Sequence, residues 1–368
     1  MSDISLELIE QVENARAESR QLNIVGLNSK IFLGRAAQGD AINIAGHSGI
    51  VDYQPIELVL TVRGGTPLSE IEAALEEHHQ MLSFDPPSFG AESSIGGTLA
   101  CNQSGPGRPW GGSVRDMVLG TRLINGKAEQ LRFGGQVMKN VAGYDVSRLQ
   151  AGAMGAFGII TELSLKVLPK PASTITMVCE LDAAEAIQSM NQLAGKANPL
   201  SAACWLDNKL YLRLSGARSA VDATAKCWQS TLPGGGDRLE HGTQFWSDLR
   251  DHQLAFFSKQ QPLWRFSLQS NAEHFFPEAD WLIDWGGAQR WLRGSPLESD
   301  STSSVLIMNQ MEQVAMRANG QVSLFRGGDR SAEVFHSQPS ALKTLHQRLK
   351  KSFDPDGLFN PGRLYRWL

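Results

Sequence analysis

The sequence is poor in cysteine and in the residue clusters that hold metals. Its four cysteines, Cys101, Cys179, Cys204 and Cys227, form no CxxC or CxH pair among 368 residues. This spacing disfavours a disulfide framework, a zinc site and an iron–sulfur centre, and it favours reduced thiols in a cytosolic protein. The eight histidines likewise include no HxH or HxxH pair.

Long apolar runs and an excess of positive charge are also missing. Nowhere do about 18 consecutive apolar residues occur, the length that a membrane-spanning helix needs. The first 22 residues are acidic and amphipathic, unlike a signal peptide. The net charge of −4 gives no long-range attraction to nucleic acid. We therefore expect a cytoplasmic protein with no nucleic-acid partner and no transmembrane segment, peripheral to a membrane only through partners.

The length predicts more than one domain, since single cores stop growing below this size. Prolines at 169 and 171 mark a linker. We predict an α+β region at 1–171, a second α+β region at 172–322 that opens strand, helix, strand, strand, helix, and a segment at 323–368. Five tryptophans concentrate in the second region and are expected in its core: Trp246, Trp264, Trp281, Trp285 and Trp291.

Local signals in the first region are clear. A short apolar strand, 22–25, leads into the turn Gly26-Leu27-Asn28-Ser29-Lys30, a pattern typical of a phosphate cradle. Thr66 is predicted to cap the N-terminus of a helix. The Asn125-Gly126 pair between two β-rich runs predicts a hairpin.

The stretch from Pro86 to Asp116 is the most distinctive part of the chain. It is rich in Gly, Ser and Pro and nearly free of charge, and we interpret it as a long ordered loop rather than a helix or strand. A loop longer than about fifteen residues inside a compact domain is usually functional or disordered. Its backbone N–H groups and short hydroxyl side chains suit the binding of a pyrophosphate.

Several motifs occur in a specific order: GLNSK at 26–30, SIGG at 94–97, KNVAGYDVSRLQAGAMGAFGIITELSLKVLPKP from 139, and DPDGLFNPGRL from 354. In this order they resemble the FAD-binding (PCMH-type) fold of the vanillyl-alcohol oxidase group. Within that group the chain is similar to the family of the small FAD-binding subunit of bacterial glycolate oxidase. The resemblance covers nearly the whole chain. It implies an FAD-binding domain of two α+β lobes, a ferredoxin-like α+β cap domain and a C-terminal helical return to the FAD domain.

The resemblance also implies how the cofactor is held. The first turn and the long segment would wrap the FAD diphosphate, 155–160 would adjoin the adenine, and the terminal motif would lie near the isoalloxazine ring. Lys30 and Arg108 would add charge-assisted contacts. The cofactor-binding residues predicted in this way are Gly26, Asn28, Ser29, Lys30, Pro87, Ser94, Ile95, Gly96, Gly97, Asn102, Ser104, Gly105, Arg108, Gly155, Gly158, Ile159, Ile160 and Asn360.

Two departures from the resemblance shape the functional prediction. Neither the turn at Asn28 nor the long segment contains a histidine, so we expect noncovalent FAD. The His-rich motif of relatives that oxidise D-2-hydroxy acids is absent, and no convincing catalytic base is present. The leading hypothesis is an accessory flavoprotein that relays electrons in a complex with a catalytic FAD subunit and an iron–sulfur subunit. Together they would oxidise a 2-hydroxy acid, glycolate, to glyoxylate, in the cytoplasm or peripherally at the inner membrane.

Two alternatives stay open. A free-standing FAD-dependent 2-hydroxy acid dehydrogenase would bind a carboxylate through Arg265, Arg326 or Arg330 and use Tyr144 or His336 as acid or base. Arg326 and Tyr144 are its catalytic candidates. A structural scaffold subunit would instead retain a flavin that takes no part in redox chemistry.

Overall fold

The computed structural model describes residues 2–89, 92–135, 144–297 and 303–368. Its helices are α1 (Ser5–Ala17), α2 (Leu68–Glu76), α3 (Ile95–Cys101), α4 (Arg108–Gly111), α5 (Val114–Met117), α6 (Val146–Leu149), α7 (Ala183–Ala194), α8 (Arg218–Thr231), α9 (Gly242–Asp251), α10 (Ser304–Arg317) and α11 (Ser340–Phe353). Its strands are β1 (Leu22–Val25), β2 (Asp40–Asn43), β3 (Ile50–Gln54), β4 (Val59–Arg63), β5 (Gln80–Met81), β6 (Val118–Ile124), β7 (Gln130–Gly134), β8 (Ile159–Lys166), β9 (Leu168–Pro169), β10 (Ser173–Glu180), β11 (Leu200–Leu206), β12 (Lys209–Gly216), β13 (Asp237–Arg238), β14 (Leu263–Ser267), β15 (Asp280–Asp284), β16 (Gln289–Arg293) and β17 (Gln321–Arg326).

These elements form two compact units. The first unit contains Met1–Ser104, Gly112–Pro169 and Ser337–Leu368, and the second contains Gly105–Gly111 and Lys170–His336. The division into regions at 171 and 322 stays a prediction. Among the described residues no helix is both long and apolar enough to cross a lipid bilayer.

The first unit is built around two main sheets, and the short antiparallel pair β5-β9 is a third. The antiparallel sheet β3-β4-β8-β6-β7 packs its apolar side chains against α2 and α3, because Ile71 and Leu75 of α2 and Ile95 and Leu99 of α3 are fully or almost fully buried in one cluster. A second cluster joins α1 to the parallel pair β1-β2. The structure therefore confirms the α+β class of this region, with a separate core under each of the two main sheets.

The hairpin predicted at Asn125-Gly126 is confirmed by the pairing of β6 with β7. Its loop spans 125–129, since the Asn125 side chain accepts the backbone N–H groups of Lys127 and Glu129. The prediction that Thr66 caps α2 was wrong. Its hydroxyl instead accepts the Gly49 N–H group and donates to a backbone carbonyl, and the residue before α2 is a proline.

The prediction that 86–116 holds no helix was also wrong. Ser94 caps α3 by accepting the Gly97 N–H group, and the apolar side chains of Ile95 and Leu99 face the core. Burial of these two side chains supplies the stability that the glycine-rich composition lacks. The short helices α4 and α5 follow in the same segment.

The second unit contains one eight-stranded sheet in the order β13-β10-β12-β11-β15-β16-β14-β17, in which the pairs are antiparallel. Its first half runs β10, α7, β11, β12, α8, as the sequence predicted. The predicted tryptophan core is confirmed, because all five side chains are buried: Trp246, Trp264, Trp281, Trp285 and Trp291.

A buried lysine closes the C-terminal segment onto the first unit. The Lys350 ammonium, at the end of α11, donates to Ala156 O at 2.8 Å, to Asp354 Oδ2 at 2.8 Å and to Phe359 O at 2.7 Å. The Asp354 carboxylate also accepts the N–H groups of Leu358 and Phe359. Burial lowers the pKa of Lys350, and the Asp354 charge opposes that shift. This network fixes the path of the chain into Asn360.

Candidate cofactor-binding site

The turn after β1 presents a row of backbone donors. In the described part of the chain, the N–H groups of Gly26, Leu27, Asn28 and Ser29 have no hydrogen-bond acceptor. Asn28 adopts a left-handed conformation with φ of 62°. Consecutive amides around a left-handed residue form a concave anion-binding nest. The turn is therefore preorganised for a phosphate oxygen.

The start of α3 lies directly against this turn. A Cβ atom on Gly26 would sit 2.9 Å from Ser94 Oγ, so glycine is needed for the close approach. The Ser29 hydroxyl contacts the Ser93 hydroxyl, and the buried Lys30 ammonium donates to Ser93. Two segments more than sixty positions apart in the sequence thus form one polar wall.

A second wall comes from the start of β8 and the C-terminal segment. Asn360 accepts the Ile24 N–H group at 2.7 Å and donates to Met154 O at 2.6 Å, so its side chain ties β1 to the loop before β8. Gly155 has φ of 74°, and a Cβ there would lie 2.6 Å from Asn360 Nδ2. A Cβ on Gly158 would likewise lie 2.5 Å from Ile124 O. These glycines are therefore required by backbone packing, whatever they also bind.

The structure places the predicted cofactor residues in three groups. One group lines a single cleft of the first unit: Gly26, Asn28, Ser29, Lys30, Ser94, Gly96, Gly97, Gly155, Gly158, Ile160 and Asn360. A second group belongs to the first unit but is not part of that lining: Pro87, Ile95, Asn102, Ser104 and Ile159. Gly105 and Arg108 belong to the second unit.

Members of the second group have other roles in the fold. The side chains of Ile95 and Ile159 are fully buried in the two cores. The Ser104 hydroxyl accepts the Val114 N–H group at 3.4 Å. Asn102 ends α3 in a left-handed conformation, and its buried Oδ1 has no hydrogen-bond partner among the described residues. Of this group, Asn102 is the one with a buried polar atom that has no hydrogen bond to the described residues. This atom is therefore available to a ligand.

Sequence reasoning missed Arg363 and Cys101, which also line the cleft. The Arg363 guanidinium donates to the backbone carbonyls of Arg35 and Ile31, and this holds the glycine-turn segment against the C-terminal segment. Burial raises the pKa of the Cys101 thiol, while the charges of Lys30 and Arg363 oppose the rise. Arg363 lies in the same NPGR motif as Asn360, which is the signal that would have found it.

The chemistry of the cleft fits a diphosphate. Its described lining contains two cations, Lys30 and Arg363, and no aspartate or glutamate. The four amides of 26–29 and the hydroxyls of Ser29 and Ser94 add neutral donors. This donor set matches the two negatively charged phosphates at the centre of FAD. FAD, when bound, would supply hydride and single-electron transfer, which no side chain here provides.

We expect replacement of Lys30 by methionine to weaken FAD binding about 10- to 100-fold, because a charge-assisted hydrogen bond to phosphate is lost. Titration of the apoprotein with FAD, followed by flavin fluorescence, measures the dissociation constant. Lys127→Met, at an exposed lysine of the same unit, is the control. An unchanged dissociation constant in a folded Lys30→Met protein would show that Lys30 does not contact the cofactor.

The catalytic candidates lie elsewhere. The Tyr144 side chain is 94% exposed in the first unit and does not line the cleft. The segment from Lys139 to Gly143, which immediately precedes Tyr144 in the motif that begins at 139, lies outside the described residues. Arg326 ends β17 in the second unit, where burial and the charge of Arg293 lower its pKa.

The second unit also holds an arginine pair on a tryptophan. The guanidinium groups of Arg108 and Arg265 lie 4.5 Å and 5.1 Å from the centre of the Trp285 ring. Arg265 Nε donates to Gln289, and its two terminal nitrogens have no acceptor among the described residues. Burial, reinforced by the charge of Arg108, lowers the pKa of Arg265 to about 10. Arg265 therefore presents two donors, unsatisfied among the described residues, beside a second guanidinium group.

Comparison with known proteins identifies the fold and the family. The model of the FAD binding domain matches residues 5–134, which confirms FAD as the predicted cofactor. Glycolate oxidase subunit GlcD of Bacillus subtilis is 33% identical over 129 residues, which are 35% of this chain and 27% of that protein. A solved structure of alkyldihydroxyacetonephosphate synthase superposes with a TM-score of 0.66 over 96% of this chain and 75% of the other, at 14% identity, and so shows a shared fold.

A further similarity extends over the full length of the chain. Glycolate oxidase subunit GlcE of Escherichia coli (strain K12) is 45% identical over 363 residues, covering 99% of this chain and 98% of that protein. The family resemblance predicted from the sequence motifs is thereby confirmed. The chain belongs to the family of glycolate oxidase subunit GlcE.

Proposed function

We propose that this chain is the FAD-binding accessory subunit of a glycolate-oxidising complex. The observation that carries the proposal is its 45% identity with a glycolate oxidase subunit along nearly the whole of both chains. The cleft supports the cofactor assignment, since its described lining pairs two cations with a row of backbone donors and contains no carboxylate. FAD is held noncovalently, because the described lining contains no histidine and its one cysteine, Cys101, has a thiol whose pKa is raised by burial.

In the proposed complex a separate catalytic FAD subunit oxidises glycolate to glyoxylate, and an iron–sulfur subunit receives electrons. This chain contributes a flavin that relays electrons between centres. Its own residues bind and shield the cofactor: the 26–29 amides and Lys30 hold the diphosphate, and Asn360 fixes the strand from which the turn starts. The described residues include no cluster of metal-ligating side chains, which is consistent with leaving the iron to a partner.

An absorbance spectrum tests this proposal. We expect the purified chain to show a flavin spectrum and to release that flavin into the supernatant on acid precipitation. Anaerobic glycolate should leave the isolated chain oxidised and should reduce its flavin only when the two partner subunits are present. Flavin retained in the acid pellet would overturn noncovalent binding, and a flavin that stays oxidised in the assembled complex would overturn electron relay.

A second candidate function is favoured by the arginine pair of the second unit. Arg265 has terminal nitrogens without an acceptor among the described residues, beside a second cation and a tryptophan ring. A small carboxylate is a suitable partner for such a guanidinium group. Under this candidate the chain itself oxidises a 2-hydroxy acid, with Arg265 as its carboxylate-binding residue.

For this second candidate, glycolate or D-lactate bleaches the flavin of the isolated chain. Arg265→Gln is then expected to raise the half-saturating substrate concentration about 10- to 100-fold, the effect of losing a charge-assisted pair. Arg213→Gln is the matched control, because Arg213 also lies over a tryptophan, Trp246, but donates to Ser201. If the isolated flavin is not bleached at all, the second candidate fails.

A further inference from the structure

The C-terminal helix α11 carries an apolar stripe that extends past the core it covers. Leu342, Leu345, Leu349 and Phe353 follow the spacing of one helix face. Leu349 and Phe353 pack against the cluster around Phe157. Leu342 and Leu345 remain 43% and 51% exposed. The same stripe is therefore covered by its own unit at one end and uncovered at the other.

The uncovered end is exposed on every side. All residues from 341 to 345 are exposed. A helix in water gains most of its stability from packing one face, so a first turn whose two leucines are not covered is a poor design for a free-standing protein. Such a turn is well suited to complete its packing against another molecule.

The stripe lies in a strongly basic setting. Helix α11 contains lysine or arginine at 343, 348, 350 and 351, and neither aspartate nor glutamate. The carboxylates that follow it are already engaged: Asp354 with Lys350, and Asp356 with Arg16. The positive charge of the exposed side chains is therefore not neutralised along the helix.

Trp367 adds an aromatic edge to this surface. Its ring stacks with His346 at 6.2 Å, and the Lys343 ammonium lies 5.4 Å from the ring centre. Tryptophan and arginine are enriched in the centres of protein interfaces. We define the α11 surface as Leu342, Lys343, Leu345, Arg348 and Trp367.

We propose that the α11 surface is the docking site of a partner subunit of the complex, whose matching groove is apolar with carboxylates at its rim. This inference rests on the proposed function, since it assigns the contact by which the accessory subunit joins its complex. The two leucines enter the groove, and Lys343 and Arg348, which flank the stripe on its two sides, meet the acidic rim. Such charge pairs set association rate and partner choice, and the buried leucines set the lifetime of the contact.

Other occupants fit the observations less well. A second copy of this chain would place the same basic surface against itself in a twofold contact, and like charges would face each other. A helix lying on a bilayer buries an apolar face along its length, whereas half of this stripe is packed on the chain's own core. A groove on a partner protein can bind the uncovered end of the stripe alone.

Co-expression with the catalytic flavin subunit and the iron–sulfur subunit tests the proposal. We expect the double variant Leu342→Ser, Leu345→Ser to lose at least tenfold in retention of the partners on the tagged chain, with FAD content and helical circular dichroism unchanged. Lys343→Glu, Arg348→Glu should slow association and lower yield most at low salt. The matched controls are Leu6→Ser, at a leucine of α1 that is 80% exposed, and Lys226→Glu, at an exposed lysine of α8.

The outcomes distinguish failure of the docking site from failure of the proposed complex. If the unaltered chain does not retain the partners, the complex itself is refuted. If the unaltered chain retains them and the leucine variant retains them equally, the complex stands and the α11 surface is not its docking site. Binding of the unaltered chain alone to phosphatidylglycerol vesicles, lost in the leucine variant, would overturn the proposal in favour of a membrane. A dimer seen by light scattering and lost in that variant would overturn it in favour of self-association.

Discussion

Replacement of Lys350 by methionine should destabilise the first unit by about 3–5 kcal/mol, the cost of breaking a buried ion pair on one side. The Lys350 ammonium holds the carbonyls of Ala156 and Phe359 and the Asp354 carboxylate within 2.8 Å. Methionine fills similar space but leaves Asp354, which is 1% exposed, without its cation. Urea unfolding followed by flavin release reports on this unit, because the cofactor cleft belongs to it.

Lys351→Met is the matched control, since the neighbouring lysine is exposed and has no ion pair among the described residues. It should change the free energy of unfolding by no more than about 0.5 kcal/mol. Equal midpoints for the two variants would mean that the Lys350 network contributes nothing to the stability of the unit.

Gly96→Ala should reduce bound FAD at least tenfold. A Cβ at Gly96 would lie 2.6 Å from the Gly64 carbonyl oxygen and 3.1 Å from the Gly64 Cα, which is backbone that cannot rotate away. The Gly96 N–H group also donates to that oxygen at 2.8 Å. The methyl group therefore displaces the start of α3, which lines the cleft, from the residues after β4. Overpacking of this kind costs about 1–3 kcal/mol. The ratio of flavin to protein absorbance measures the loss.

Gly195→Ala controls for the substitution itself. Gly195 follows α7, has an ordinary negative φ, and its added Cβ would lie 3.7 Å from the nearest atoms. It should keep full flavin content. A Gly96→Ala protein with normal flavin content would show that the contact between α3 and the residues after β4 can relax without opening the cleft.

Local sequence patterns predicted many of the turns, strands and helices, because neighbouring residues largely decide these elements. The turn Gly26–Lys30 was predicted from its composition, and in the structure it lies against Ser94. The strands and helices from 173 to 231 follow their hydrophobic periodicity closely. The tryptophan core follows from the high cost of leaving large apolar side chains in water.

Tertiary contacts decided the features that the sequence patterns could not reveal. Helix α3 forms although two of its seven residues are glycine, because Ile95 and Leu99 are buried by strands far along the chain. The cleft lining gains Arg363 only because its donors reach Ile31 and Arg35. Gly105 and Arg108 stand in the middle of the predicted diphosphate segment, yet they pack in the second unit, where Gly105 O accepts the Trp285 indole N–H group.

The tie between Asn360 and β1 has a consequence for biosynthesis. The Leu22 N–H group donates to Leu358 O and the Ile24 N–H group to Asn360, so the strand that leads into the turn is completed by residues at the end of the chain. Domains normally begin to fold while the ribosome is still extending them. Here residues 358–360 have to be synthesised before the first strand acquires these partners. Cofactor loading at this cleft therefore has to wait for Asn360, which follows Ile24 by 336 positions.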